Sequence, residues 1–469
     1  MKLRRLMFAA PKSGSGKTLI TCAFLQILKE MGEDVVSYKC GPDYIDPMFH
    51  EKVIGISSKN LDTFFTGEEV TRELFLYGRS ANQIAVQEGV MGVFDGLGGI
   101  REEGSSYHLA KVTRTPVILV VDAKGMGYSL LPLIAGFLAY DTEHLIKGVI
   151  LNRMSGMYYQ TMKPLIEEKL QIAVLGYVPQ NPEFALESRH LGLKLPEEVE
   201  HLQEKIACAG NELKKTLEIE HLLQIADEAE EMPETGRKKT GVKAVDTEQP
   251  IIAVAKDEAF CFYYEDNLRL LEEAGAKLQY FSPVHDTKLP DHCDGLLLGG
   301  GYPELYAKEL EANREMRDTI KRAVCAGMPS VAECGGFMYL HEKLTDAKGQ
   351  TYEMAGIIPE ACHYTGKLVR FGYVEIAEEK TGKTTEKDKI FLPENSVIKA
   401  HEFHYFDSTD NGASCKATKP TTGRQYSCIW TGENHWWGFP HLYYPSNPFF
   451  AEHFVSLAKS YKSCKFRKI

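Results

Sequence analysis

The sequence lacks a long apolar segment, a run of basic residues and a C-x-x-C pair. No stretch approaches the roughly 18 uninterrupted apolar residues of a membrane-spanning helix, so we expect no membrane partner. The formal net charge is −11, from 54 basic and 65 acidic residues, which argues against nucleic acid as a partner. The 11 cysteines are scattered and odd in number, which argues against a disulfide framework or a zinc ribbon. We therefore expect a protein of the reducing cytoplasm.

Apolar residues are nevertheless abundant, at 43% with 10% aromatic, which predicts packed cores and excludes general disorder. In the first half, short apolar runs alternate with helical patterns such as Thr18–Met31. The predicted strands are Leu6–Ala10, Asp34–Tyr38, Gln83–Glu88, Val117–Asp122, Gly148–Asn152 and Ala173–Tyr177. The first is too short for an export signal. Strands and helices in this rhythm form βαβ units, so we expect an α/β fold with a parallel sheet.

The composition changes between residues 226 and 250, where charged residues dominate and large apolar residues are few. Such a stretch is typical of a linker. A second α/β pattern follows, with a strand at 251–256, a helix at Tyr264–Ala274 and strands at Lys277–Phe281 and Gly295–Leu298. The sequence therefore predicts two α/β domains, 1–225 and 251–465, joined by a linker at 226–250.

A glycine-rich loop follows the first strand and precedes a helix. Such a loop directs backbone N–H groups at phosphate oxygens, a lysine at the β/γ charge and a hydroxyl at Mg²⁺. The predicted ATP-binding residues are Ser13, Gly14, Ser15, Gly16, Lys17 and Thr18. Pro11 replaces the first glycine of the common pattern, and a plain Gly/Ser turn is the alternative. Lys12 fits a variant of dimeric ATPases in which this lysine reaches across a homodimer, although a solvated loop lysine fits at least as well.

Acidic residues lie at the ends of two later strands. Asp43 and Asp46 belong to the segment KCGPDYIDP after the second strand, and Glu88 ends a further strand. Ligands of α/β sheets bind at the carboxyl ends of the strands. Because hard cations take oxygen ligands, Thr18, Glu88 and either Asp46 or Asp43 could hold one Mg²⁺ beside a triphosphate. An Asp-rich turn is the alternative for residues 39–47.

One cysteine of the second domain has the pattern of a nucleophile. Cys334 lies between a strand at Pro329–Ala332 and a helix and is followed by two glycines, which predicts a sharp turn that exposes the sulfur and favours thiolate. His441 follows the last apolar strand and can return to the cysteine as its base. Gly300 and Gly301 end an upstream strand, and their N–H groups could form an oxyanion hole.

Two further histidines lie in the segment AHEFHYF. His401 and His404 have a spacing closer to that of metal ligands but lack companion ligands in the sequence. We interpret them as structural residues, and a substrate-facing role is the alternative.

Long motifs are spread over nearly the whole chain. They are APKSGSGKT, KCGPDYIDP, NLD at 60–62, EGVMGVFDG, HLAK at 108–111, VVDAKGM, GVILNR, RHLGL at 189–193, DEAFCFYYEDNL, GGGYPEL and AECGGFMYL. Together they resemble the cobyrinic acid a,c-diamide synthases, a family of glutamine-dependent amidases of cobalamin synthesis. The N-terminal half resembles a dethiobiotin synthetase-like ATPase domain, and the C-terminal half resembles a class I glutamine amidotransferase domain of the cobyric-acid-synthase type.

The sequence departs from most class I amidotransferases at one position. They carry a glutamate two residues after the histidine, where this chain has Tyr443. The cobyric-acid type also lacks this glutamate, so the resemblance implies a dyad of Cys334 and His441. The segment PHLYYP is also poorer in histidine than is usual for the family.

The resemblance implies that ATP phosphorylates a carboxylate and that ammonia released from glutamine displaces the phosphate. The implied substrates are ATP, glutamine and cobyrinic acid, whose a and c acetates are amidated in turn, with Mg²⁺ as the metal. Asp43, Tyr44 and Asp95 would lie with Asp46 near the junction of ATP and acetate. One alternative is a nickel-sirohydrochlorin a,c-diamide synthase, which has the same domains. The other is a P-loop ATPase switch with an inactive glutaminase module, which the intact Cys334 disfavours.

Overall fold

The computed structural model describes residues 3–80, 82–184, 199, 201–233, 249–379 and 391–466. The chain divides into two compact units, Met1–Lys238 and Lys239–Ile469. Ala226 and Asp227, at the start of the predicted linker, belong to a helix. Residues 234–248 of the predicted linker and the motif at 189–193 lie outside the described residues.

The first unit is built on a parallel sheet of seven strands. Strands β1 to β7 are Arg4–Ala9, Val35–Cys40, Ser58–Leu61, Ile84–Glu88, Val117–Asp122, Ile146–Asn152 and Ala173–Val178. Their order is β3-β2-β4-β1-β5-β6-β7, and every neighbouring pair is parallel. The predicted α/β class is confirmed. Strand β3 escaped the prediction because its sequence, SKNL, is mostly polar.

Helices connect these strands. Helices α1 to α8 are Lys17–Glu30, Ile45–Met48, Thr63–Leu76, Ser106–Thr113, Leu130–Tyr140, Gly156–Leu170, Leu202–Thr216 and Ile219–Asp227. Local side chains fix where several of them begin. Asp62 accepts hydrogen bonds from the backbone of Phe64 and Phe65 at 2.8 and 3.1 Å, and so caps α3.

The described residues of the second unit form three sheets. Strands β8 to β22 are Ile251–Ala255, Lys277–Phe281, Gly295–Leu298, Ser330–Glu333, His341–Thr345, Thr351–Glu353, Ile358–Tyr364, Arg370–Glu378, Ile398–His404, Phe406–Ser408, Cys415–Thr418, Gln425–Cys428, Trp430–Gly432, His435–Gly438 and His441–Leu442. Helices α9 to α13 are Glu265–Glu273, Ala307–Ala312, Arg314–Cys325, Gly335–Leu340 and Phe449–Phe466. The sheet orders are β20-β21-β11-β10-β8-β9, β13-β12-β14-β17 and β19-β18-β15-β16-β22.

The five-stranded sheet is antiparallel, and one of its faces is buried. Along β16, buried and half-buried residues alternate, with Ile398, Ala400, Glu402 and His404 on the buried side. The apolar members of this face pack with residues of the six-stranded sheet and of α13 in one core. Within the described ranges of the chain, no helix is long and apolar enough to cross a membrane.

Candidate functional site

The carboxyl ends of three neighbouring strands form the candidate nucleotide site of the first unit. Strand β1 leads into the glycine-rich loop, and helix α1 begins at Lys17 directly after Gly16. The Ser15 hydroxyl donates to the carbonyl of Lys12 at 2.9 Å, and Asn152 Nδ2 donates to the carbonyl of Ser15 at 2.7 Å. These bonds hold the loop at a helix N-terminus, where N–H groups and the helix dipole favour phosphate. The role of Asn152 was not evident from the sequence.

Lys17 is folded back into this site. Its side chain is buried, and Nζ donates to the carbonyl of Met91 at 2.7 Å. Burial and the nearby charge of Lys39 together lower the pKa of Lys17 to about 8, although three neighbouring carboxylates act to raise it. An anionic ligand would therefore favour the charged form of this lysine.

Three oxygen ligands converge beside the loop. The Thr18 hydroxyl lies 2.6 Å from Glu88 Oε1 and 3.5 Å from Asp46 Oδ2. Lys39 Nζ lies between the same two carboxylates, 2.5 Å from Asp46 and 3.1 Å from Glu88. Hydroxyl and carboxylate oxygens suit Mg²⁺, which completes its shell with water and phosphate. The donor set therefore fits the predicted metal, although the described residues include no group of three His, Cys, Asp or Glu able to hold an ion alone.

Lys39 acts to lower the pKa values of the two carboxylates. Burial acts to raise the pKa of Glu88, but Lys39 and His50 outweigh it, so the net pKa lies below the usual range. Burial raises the pKa of Asp46, and the neighbouring carboxylates of Asp43 and Glu88 raise it further against the effect of Lys39. Two adjacent acids with pKa values pushed apart are typical of a functional site.

Two further residues of this site were not assigned from the sequence. Lys39 belongs to the motif KCGPDYIDP, and its side chain is buried. Its contact with the site follows from its pairing with Glu88 on the adjacent strand, which the sequence does not show. His50 is completely buried, with Nε2 3.1 Å from Glu88 Oε2 and Nδ1 2.7 Å from the Ser37 hydroxyl. No signal in the sequence identifies His50, because its partners Ser37 and Glu88 lie on two strands that are distant along the chain.

The remaining acidic candidates lie in turns at the edge of the site. Asp43 Oδ1 accepts from the backbone N–H groups of Ile45 and Asp46 at 2.7 and 3.1 Å, which is the Asp-turn alternative. Tyr44 is half-buried directly before α2. Asp95 is exposed, and its Oδ2 accepts from the N–H of Gly92 at 3.0 Å. The structure thus brings Asp46, and not the Asp43 carboxyl, next to Thr18.

In the second unit, Cys334 occupies a strained turn between β11 and α12. Its backbone has φ 45° and ψ −105°, which is unusual for a residue other than glycine, and its N–H donates to the carbonyl of Gly438 at 2.9 Å. The side chain is buried, with 7% exposure, which differs from the exposed sulfur predicted for this turn. Burial raises the pKa of Cys334, and the charge of Glu304 raises it further. The six-residue helix α12 does not reverse this effect.

His441 and the cysteine turn contact successive glycines. A Cβ at Gly300 would lie 2.3 Å from His441 Cε1, and a Cβ at Gly335 would lie 3.1 Å from the backbone nitrogen of Gly301. Gly301 has φ +152° and no room for a side chain, because a Cβ would lie 2.1 Å from the carbonyl of Ala259. The predicted oxyanion glycines therefore lie between the predicted nucleophile turn and the predicted base.

The imidazole of His441 is held neutral. Burial lowers its pKa to about 3, and nearby His401 and His404 contribute in the same direction. His404 stacks on Phe439 with a centroid distance of 4.1 Å, and its Nδ1 lies 2.7 Å from the carbonyl of Phe406. His401 is the cross-strand partner of His441. The contacts of His404 favour its structural interpretation, whereas the position of His401 beside the predicted base is compatible with either interpretation.

We expect Cys334 to react slowly with iodoacetamide at neutral pH. Thiolate is the reactive form, and burial raises the pKa of this thiol above the ordinary value of about 8.5. The alkylation rate, followed by peptide mass, should still be rising above about pH 8.5. Exposed Cys325 serves as an internal control for the reagent. A rate that levels off below about pH 6, as in strongly activated thiols, would contradict this expectation and reveal a further partner.

Two family models match the chain. Residues 6–193 match the CobQ/CobB/MinD/ParA nucleotide binding domain, and residues 251–435 match the CobB/CobQ-like glutamine amidotransferase domain. A nucleotide-binding unit with a P-loop and an amidotransferase unit with a cysteine turn define an ATP-using ligase that forms C–N bonds with glutamine as nitrogen donor.

Curated relatives narrow this class to one family. Proteins named cobyrinate a,c-diamide synthase occur in Caldanaerobacter subterraneus, with 39% identity over 94% of this chain and 95% of that protein, and in Dehalococcoides mccartyi, with 35% identity over 98% and 99%. A third, from Listeria innocua, is 38% identical over 95% of this chain and 97% of its own length. The chain belongs to the cobyrinate a,c-diamide synthase family, which confirms the resemblance.

Proposed function

We propose that the protein amidates the a- and c-acetate carboxylates of cobyrinic acid, with ATP and glutamine as co-substrates. The observation that supports the proposal is that one chain contains two candidate sites of different chemistry. One has a phosphate loop beside Thr18, Asp46 and Glu88. The other has Cys334 and His441 around Gly300 and Gly301. The names of the relatives point to the macrocycle as the substrate.

The first unit would activate the carboxylate. Activation is needed because a carboxylate oxygen is a poor leaving group. In this step a carboxylate oxygen attacks the γ-phosphorus of ATP, ADP leaves, and an acyl phosphate forms. The helix N-terminus and Lys17 would neutralise the transferred phosphoryl group. Thr18, Asp46 and Glu88 would hold Mg²⁺, which supplies charge neutralisation of the phosphates when bound. Ammonia then attacks the acyl carbon, and phosphate leaves.

The second unit would supply ammonia. His441, which burial holds neutral, can take the thiol proton of Cys334 as the sulfur attacks the carboxamide carbon of glutamine. Backbone N–H groups of Gly300 and Gly301 would stabilise the oxyanion. The protonated imidazole returns the proton to the leaving nitrogen, so ammonia departs, and water then hydrolyses the thioester to glutamate.

Mass spectrometry of the macrocycle tests the proposal. Cobyrinic acid incubated with ATP, Mg²⁺ and glutamine should gain two amides in succession, and nickel-sirohydrochlorin in a parallel reaction should gain none. Amidation of nickel-sirohydrochlorin alone would replace cobyrinic acid as the substrate. ATP hydrolysis that neither macrocycle stimulates, with no amide formed, would overturn the function as a ligase of tetrapyrrole carboxylates. Homodimerisation, suggested by Lys12, is tested separately by the mass of the protein in solution.

A further inference from the structure

At the position that carries glutamate in most class I amidotransferases, the side chain of this protein contacts helix α9. Tyr443 is almost fully buried, and its hydroxyl donates to Asp266 Oδ2 at 3.4 Å on helix α9. Its ring also packs edge-on against Tyr264, with centroids 5.1 Å apart. The side chain at position 443 is therefore engaged with α9, and the segment around His441 must be fixed in another way.

Glu333 lies on the strand that ends at the nucleophile. It is the last residue of β11, directly before Cys334, and only 6% of it is exposed. The backbone N–H of Leu442, the residue after His441, is near the Glu333 carboxyl and acts as a donor that lowers its pKa against the larger effect of burial. The Tyr444 hydroxyl also donates to Oε1 of Glu333, at 3.4 Å. The Glu333 carboxyl thus connects strand β11 to Leu442 and Tyr444, the two residues on either side of position 443.

Asn267 completes this arrangement from helix α9. Its Nδ2 donates to the carbonyl of Leu442 at 2.8 Å, and its Oδ1 accepts from the N–H of Tyr444 at 2.8 Å. Strand β22 contains only His441 and Leu442, so its backbone hydrogen bonds to strand β16 hold only a short part of this segment in place. The two side chains supply hydrogen bonds that a longer strand would otherwise provide.

We propose that Glu333 is a positioning residue for His441, because it accepts hydrogen bonds from the segment that carries the imidazole and ties that segment to the strand of Cys334. The inference rests on the proposed Cys334–His441 glutaminase. Burial raises the pKa of Glu333 to about 8, so the carboxyl is mostly neutral at pH 7 and needs no buried counter-cation. Glu333 would therefore position His441 through its carboxyl oxygens as hydrogen-bond acceptors and not through a negative charge.

Three variants test this role in glutamine hydrolysis by the full-length protein. Glu333→Ala should lower kcat by about 10- to 100-fold, because a base displaced by about 1 Å loses that much. The KM for glutamine should change little, since the lost geometry serves the chemical step. Glu333→Gln keeps an acceptor oxygen and should restore most of kcat. Glu342→Ala, at an exposed position of strand β12, is the matched control and should behave as wild type.

Several outcomes would overturn the proposal. Equal losses in Glu333→Ala and Glu333→Gln would mean that charge or protonation matters and not the acceptor. An unchanged kcat in Glu333→Ala, or a loss confined to KM, would remove the positioning role. Thermal unfolding and ammonia-driven amidation of each variant separate misfolding from these results. Failure of the glutaminase assignment itself is distinguishable, because Cys334→Ser and His441→Ala would then keep glutamine hydrolysis.

Discussion

A Cys334→Ser variant should lose glutamine-driven amidation by at least about 10³-fold while it keeps amidation driven by added ammonium salt. The serine oxygen is a much weaker nucleophile than sulfur at neutral pH, and the substitution changes only this one atom at the strained turn, where φ is 45°. The activation step needs groups of the other unit, around Lys17 and Thr18, which the substitution leaves intact. Product mass in parallel reactions with glutamine and with ammonium chloride gives both rates.

Exposed Cys325 provides the matched control for this substitution. It lies at the end of α11 in the same unit, and Cys325→Ser should leave both nitrogen sources unaffected. Equal loss of glutamine- and ammonia-driven amidation in Cys334→Ser would show that Cys334 is not simply the nucleophile of the glutaminase.

Lys17→Ala should stop amidation from either nitrogen source, with a loss of about 10²–10³-fold or more in kcat. The ammonium group is buried beside the phosphate loop, and an alanine there leaves the transferred phosphoryl group without its cation. Glutamine hydrolysis, measured as glutamate release, should continue, since its residues lie in the second unit. The comparison therefore assigns the defect to activation.

Lys147→Ala serves as the control for Lys17→Ala. Lys147 is an exposed lysine on β6 of the same unit, and its removal changes the net charge equally. Ammonia-dependent turnover that survives in Lys17→Ala, at the rate of Lys147→Ala, would remove Lys17 from the activation site.

The core strands of both units could be predicted from the sequence because they are continuous apolar runs. Runs such as VILVVD lie in the middle of a parallel sheet and are buried on both faces, so composition alone identifies them. The five-stranded antiparallel sheet was not predicted. Its strand Ile398–His404 alternates apolar and polar residues and has Glu402 and His404 on the buried side, which conceals the pattern.

The candidate sites divide in the same way. The loop around Thr18 and the turn at Cys334 could be predicted, because consecutive residues share one turn of fixed chemistry. The contacts of Lys39 and Glu333 could not, since their partners are close only after distant strands pair, as with Lys39 and Glu88. A side chain whose role depends on a neighbouring strand leaves no local signal in a single sequence.

The Tyr443 side chain separates this protein from a three-membered cysteine–histidine–glutamate site by more than one substitution. A glutamate at position 443 that kept the direction of the Tyr443 side chain would place its carboxylate beside Asp266 in a buried setting, where like charges repel. In that arrangement a single Tyr443→Glu substitution would not give the imidazole a carboxylate partner. Conversion to the three-membered site would then involve the anchors Glu333 and Asn267 as well as position 443.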